Sequence, residues 1–166
     1  MSLLLRSTLR LRSTPAVRQA GWTAVRTLTF LPTYVTESTV VGARGGHLTT
    51  KRGSLDLRLD VPKELGAKGG PGTNPEELLG GGYAACFGGA LGAAAKNLKV
   101  KMGDPTVTAV VSLGPKTPKG FQLGVELQVA GTGLEGEAFE KLIKEAHEIC
   151  PFSHALRAID VTTKRV

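Results

Sequence analysis

The segment GGGYAACFGGALGAAAK, residues 80–96, limits the fold more than any other stretch of the chain. It has the length and apolarity of a buried helix, yet six of its 17 residues are glycine. Each internal glycine costs a helix about 1 kcal/mol relative to alanine. Bare backbone at Gly88, Gly89 and Gly92 would let another helix, or a substrate, come close to the thiol of Cys86. Glu76, Glu77, Lys96, Asn97 and Lys99 flank the segment. No run reaches the ~18 uninterrupted apolar residues of a membrane span, so stable membrane insertion is not expected.

The helix start is legible upstream. Thr73 or Asn74 suits the N-cap, Pro75 the first turn, and Glu76 and Glu77 the positive end of the helix dipole. The pattern predicts a helical region over about 75–99, interrupted at Gly80–Gly82. A restart there would put Cys86 in the first turn of a new helix, where free N–H groups favour a thiolate.

Alternation of apolar and polar residues predicts strands at 33–42, 54–62, 105–115 and 120–131, with IDVTTKRV as a closing strand. ARGGHLTTKRG (43–53) reads as a turn and a short hairpin arm, with Gly45 and Gly46 free to take positive φ. LEGEAFEKLIKEAHEIC (134–150) places Phe139, Leu142, Ile143 and Ala146 on one helical face, and Pro151 ends it. Hairpins separated by helices indicate an α+β fold with antiparallel sheets. So few strands do not cover both sides of a glycine-rich helix, which favours a dimer.

The net charge of +7 is local. Arg6, Arg10, Arg12, Arg18 and Arg26 precede the first acidic residue, Glu37, and without them 16 basic residues face 14 acidic ones. An acid-free leader of Arg, Ser, Thr and Leu has the pattern of a mitochondrial presequence. Residues 1–30 are therefore assigned as a leader, cut between about 20 and 32, residues 31–166 as the folded domain, and the matrix as the location. The alternative is a basic tail for nucleic acid, but the body has no basic run to continue it, so no nucleic-acid partner is expected.

Cys86 and Cys150 are too few for a disulfide-stapled scaffold. Cys150, at the end of a helix, should be the less acidic thiol. One acidic and one ordinary thiol is what a peroxidatic and resolving couple requires, the first oxidised to a sulfenic acid and the second condensing with it. Two unrelated buried thiols are the alternative. His147, Cys150 and His154 have ligand-like spacing, but Pro151 breaks their register and no metal site is assigned. Arg44 reads as a solvated turn arginine and Glu76 as a dipole partner. GxGxxG after a strand and GxSxG are both absent.

GTNPEELLGGGYAACF (72–87) and CPFSHALRAIDVT (150–162) resemble the organic hydroperoxide resistance family, within the superfamily of osmotically inducible protein C. The likeness covers about residues 33–166. It implies an intertwined α+β homodimer, antiparallel sheets around central helices, with two active sites at the subunit interface. It also implies a thiol peroxidase for organic hydroperoxides, those of fatty acids included, with no bound cofactor. Cys86 matches the peroxidatic cysteine, Cys150 the resolving one, Glu76 the acid of TNPE, and Arg44 the arginine of the first turn. Arg44 would lower the Cys86 pKa and Glu76 would hold Arg44. Phe87, Leu91 and Phe152 would line the approach of an alkyl peroxide. The resemblance further implies recycling by a dihydrolipoyl dithiol, on a lipoylated protein or as dihydrolipoamide. Gly45, where the family has an acid, His154, where asparagine is common, and a shortened LRAID depart from the pattern. A non-enzymatic ligand-binding or redox-sensing member of the fold is the rival reading.

Overall fold

The computed structural model describes residues 30–166, so the leader expected over 1–30 lies almost wholly outside the described residues. Thr36–Val166 forms one compact unit. Its elements are β1 (Ser38–Val41), a 3-10 turn (Ala43–Gly45), β2 (His47–Thr50), β3 (Asp56–Arg58), a second 3-10 turn (Lys63–Leu65), α1 (Pro75–Leu98), β4 (Thr106–Pro115), β5 (Phe121–Ala130), α2 (Gly136–Ile149), α3 (Pro151–Ala155) and β6 (Asp160–Arg165). The order β-β, α, β-β, α, β follows the sequence pattern, and His47–Thr50 is the expected hairpin arm.

Two three-stranded sheets form, β1-β2-β3 and β4-β5-β6. The first is antiparallel throughout, as is the β4–β5 hairpin. β6 differs by lying parallel to β5, because α2 and α3 supply the crossover a parallel neighbour needs. On β5 the alternation is plain: Val125, Leu127 and Val129 are buried and meet Tyr83, Phe87 and Leu91 of α1 in the core, with Phe139, Leu142 and Ala146 of α2. Truncating Leu127 or Leu142, both fully buried, to alanine should cost about 2–5 kcal/mol.

α1 is one unbroken helix of 24 residues, so the expected interruption at Gly80–Gly82 does not occur. The reason is tertiary. A Cβ on Gly80 would stand 3.3 Å from Val111 Cγ2 and 3.5 Å from the Ala109 carbonyl oxygen, so glycine lets the helix lie close on β4. That packing outweighs the local helix cost of glycine. By length and composition α1 could cross a membrane, with a mean hydropathy of 1.3 in its most apolar window. Instead it packs on β4, α2 and α3.

The β1-β2-β3 sheet stays outside this core, anchored by buried Leu48 and Leu59, while Val40 and Val41 are exposed.

Candidate active site

Arg44 sits at the tip of a turn that only certain residues can make. Gly42 takes φ 86° and Ala43 φ 53°, so the positive φ falls there and not on Gly45 or Gly46. Gly46 is required for space, since a Cβ there would overlap the Val41 carbonyl oxygen. The turn is tied to the start of α1 through the chain that follows β3. Leu59 N–H donates to the Gly46 carbonyl, Thr73 N–H to the Arg58 carbonyl, and Gly72 N–H to the Asp60 carboxylate. Asn74 then caps α1, its Oδ1 accepting from Glu77 N–H.

These ties bring the Arg44 guanidinium to Glu76. The pair is bidentate, Nη1 to Oε2 at 3.0 Å and Nη2 to Oε1 at 2.5 Å. The arginine, donating to it, holds the Glu76 carboxyl below the usual carboxylate range and is itself raised. A mainly apolar hollow of about 490 Å³ adjoins the guanidinium, lined by Val61, Leu65, Leu113 and Phe121 together with Glu64. A larger open groove, about 620 Å³, runs along α1 past Glu76, Gly80, Gly81 and Ala84 to Val107 and Val111.

The two cysteines meet elsewhere on α1. Cys86 is the twelfth residue of the helix and not in a first turn. Cys150 closes α2, donating its N–H to Ala146, and accepts from His154 N–H of α3. The turn so made points its thiol at Cys86, Sγ to Sγ 3.5 Å, both sulfurs free. Cys150 is buried and Cys86 half-buried. The Cys86 pKa is raised: burial is the largest cause, the Phe152 backbone N–H opposes it by hydrogen-bonding the sulfur, and the Cys150 thiol adds to it. No lowering by Arg44 arises within one chain. The thiol lies in mid-helix, away from the dipole's positive end, and the arginine is not among the groups that shift it.

Phe87 and Leu91, expected along the peroxide's approach, are fully buried core residues. Phe152 is half-buried and stacks on Tyr83 with ring centroids 5.8 Å apart. His147 and His154 do not form a ligand set with Cys150, and no metal-holding cluster occurs among the described residues. His154 Nε2 bonds the Glu148 carbonyl. His147 bonds two hydroxyls, Nδ1 with Ser153 Oγ at 3.0 Å and Nε2 with Thr163 Oγ1 at 2.9 Å. Ser153 Oγ in turn meets Tyr83 OH at 2.9 Å. Sequence spacing pointed to His147 only as a possible ligand. The hydroxyl chain has no sequence signal, because its members come from four elements.

A fold with an arginine–glutamate clamp at one end of a glycine-rich helix and two thiols facing each other at its middle defines a class of α+β proteins. Residues 67–164 match the OsmC-like protein family. The organic hydroperoxide resistance protein of Xanthomonas axonopodis pv. citri is 42% identical over 131 residues, 78% of this chain and 92% of its own. A crystal structure of an organic hydroperoxide resistance protein from Legionella pneumophila superposes with TM-score 0.76 at 42% identity, covering 81% of this chain and 98% of that one. OhrB of Bacillus subtilis, another organic hydroperoxide resistance protein, gives TM-score 0.71 at 38% identity, over 80% and 98% of the two chains. The chain belongs to the OsmC-like family, among relatives named for resistance to organic hydroperoxides.

Proposed function

We propose that the protein is a two-cysteine peroxidase that reduces organic hydroperoxides to alcohols. The observation that carries this reading is the sulfur pair, 3.5 Å apart on elements 64 residues apart in sequence. The relatives' names supply the substrate class. The Cys86 thiolate attacks the distal oxygen of ROOH. The O–O bond breaks, ROH leaves with one proton, and the sulfur carries the hydroxyl as a sulfenic acid. The Cys150 thiol then displaces that hydroxyl as water, and the disulfide holds the two electrons' worth of oxidation taken from the peroxide. A dihydrolipoyl-type dithiol reduces it and leaves as its cyclic disulfide.

The Arg44–Glu76 clamp fits the oxygen that gains charge as the O–O bond breaks. It does not serve the thiol on its own helix. Glu76 and Cys86 are ten residues apart on α1, about 15 Å of axial rise. We therefore propose a homodimer in which each clamp faces the Cys86 of a second copy. The small residues on the open side of α1 support close packing there: Gly81, Gly89 and Gly92 have nothing within 4 Å of where a Cβ would stand. The arginine of the second copy would then offset the burial that raises Cys86.

Rapid mixing of the reduced protein with cumene hydroperoxide tests the reading. Wild type should consume peroxide fast and stoichiometrically, and Cys86→Ser should not. Equal slow rates would favour a ligand-binding or redox-sensing protein. Faster turnover with dihydrolipoamide than with glutathione would support the dithiol. The matrix location is part of the same proposal and rests on the leader's composition.

A further inference from the structure

From the hydroxyl chain behind the two sulfurs we infer that Tyr83, Ser153 and His147 are the positioning residues for disulfide closure. The inference rests on the two-cysteine reading but concerns its second step alone. Tyr83 stands three residues before Cys86 on α1; His147 and Ser153 stand three residues before and after Cys150. Their side chains run in one line, Tyr83 OH to Ser153 Oγ, Ser153 Oγ to His147 Nδ1, and His147 Nε2 to Thr163 Oγ1 on β6.

The need for such a device follows from the geometry of Cys150. Its sulfur is carried by a turn between α2 and the five-residue α3, held by the backbone bonds of Cys150 and by His154 Nε2 on the Glu148 carbonyl. A one-turn helix is marginal by itself. Ser153 lies within it and is the point at which hydrogen bonds from α1 and α2 converge. The chain thus pins the segment bearing one sulfur to the helix bearing the other. The Phe152 ring stacked on Tyr83 closes the same contact from its apolar side. His147 suits the central place. Burial lowers its pKa, so the ring is neutral near pH 7 and has one donor and one acceptor nitrogen for its two hydroxyl partners. The Tyr83 hydroxyl, raised by burial, keeps its proton.

Closure takes the sulfurs from 3.5 Å to a bond of about 2.05 Å. The Cys86 sulfenic acid loses its hydroxyl and Cys150 its proton, together as water. A misplacement on the order of 1 Å costs such a step up to about a hundredfold. The hydrogen bonds of Tyr83, Ser153 and His147 go to neither sulfur and to neither Arg44 nor Glu76, so deleting one oxygen of the chain should leave peroxide reduction in place.

Ser153→Ala and Tyr83→Phe each delete one oxygen, and Ser153→Thr keeps the hydroxyl. Single-turnover mixing with cumene hydroperoxide reads the first step as peroxide loss and the second as appearance of the intramolecular disulfide. Both deletions should leave peroxide loss at the wild-type rate and slow closure about tenfold to a hundredfold. Sulfenic acid should accumulate, trapped by dimedone, and Ser153→Thr should restore closure. Closure at the wild-type rate in both deletions, or equal slowing of both steps, would overturn the inference. Diamide in place of peroxide, accepting two electrons and two protons as it oxidises the pair, reads closure without the peroxidase step. Slow closure with diamide in a protein that fails to consume peroxide would sink the peroxidase reading and leave the positioning role standing.

Discussion

At Cys86 burial and the Cys150 thiol oppose ionisation, while the Phe152 amide favours it. Replacing Cys150 with alanine removes one opposing influence and keeps the amide. The Cys86 thiolate should then form at lower pH, read as a downward shift in the midpoint of iodoacetamide alkylation against pH. An unmoved midpoint would mean that burial alone governs the thiol. The same variant should stop at the sulfenic acid with one equivalent of peroxide and, given a second, take a further oxygen from it as sulfinic acid, visible by mass. Glu76 behaves in the opposite sense. Arg44 lowers its folded-state pKa. Its stabilisation is therefore present above the ordinary carboxyl value of about 4.3 and is lost as pH falls through the lowered one. With the Arg44 side chain 41% exposed, the gain is on the order of 1 kcal/mol or less. Urea unfolding of wild type and Glu76→Gln should differ at pH 7 and converge in acid. A gap constant down to pH 3 would show that the carboxylate charge is not what stabilises the turn.

The glycines of α1 divide by what surrounds them. Gly82 is exposed, and an added Cβ would meet only the Phe152 ring, at an ordinary 3.5 Å. Gly82→Ala should raise the unfolding free energy by up to about 1 kcal/mol. A loss of stability by chemical denaturation would show that the Phe152 contact is tighter than this spacing. The sequence misled at this element for a definite reason. Glycine counting is local, whereas the close approach of Gly80 to Val111 is set by β4, a separate element further along the chain. The same limit hid the Arg44 turn's detail, where positive φ fell on Gly42 and Ala43. Strand alternation, the Asn74 cap and the amphipathic α2 were legible because each is encoded within a few residues. Cys86 and Cys150 were legible as a peroxidatic and resolving couple, but not how the fold brings them together. Their 3.5 Å approach needs the whole α2–α3 turn. Tyr83 and Ser153 stand inside the family-like motifs, but their link gave no signal because a hydrogen-bonded chain across four elements leaves no spacing to read.

For the molecule as a whole, the separation of clamp and thiol along α1 makes subunit exchange decisive. Cys86→Ser retains the clamp and Arg44→Ala retains the thiol, so each homodimer should be inactive or nearly so. When the two variants are unfolded together and refolded in equal amounts, half of the dimers are mixed. If each clamp serves the other copy's thiol, every mixed dimer regains one complete site and loses the other. Peroxide consumption should return to about a quarter of wild type, the fraction that two-fold symmetry allows. If clamp and thiol of one chain worked together, a mixed dimer would hold one site with an arginine but no thiol and one with a thiol but no arginine, and no activity would return. Stopped-flow peroxide loss on the refolded mixture, with its dimer content measured by sedimentation, separates the two arrangements. A dimeric mixture without recovery would place the clamp and thiol of one chain in the same site, against the roughly 15 Å of helix between them.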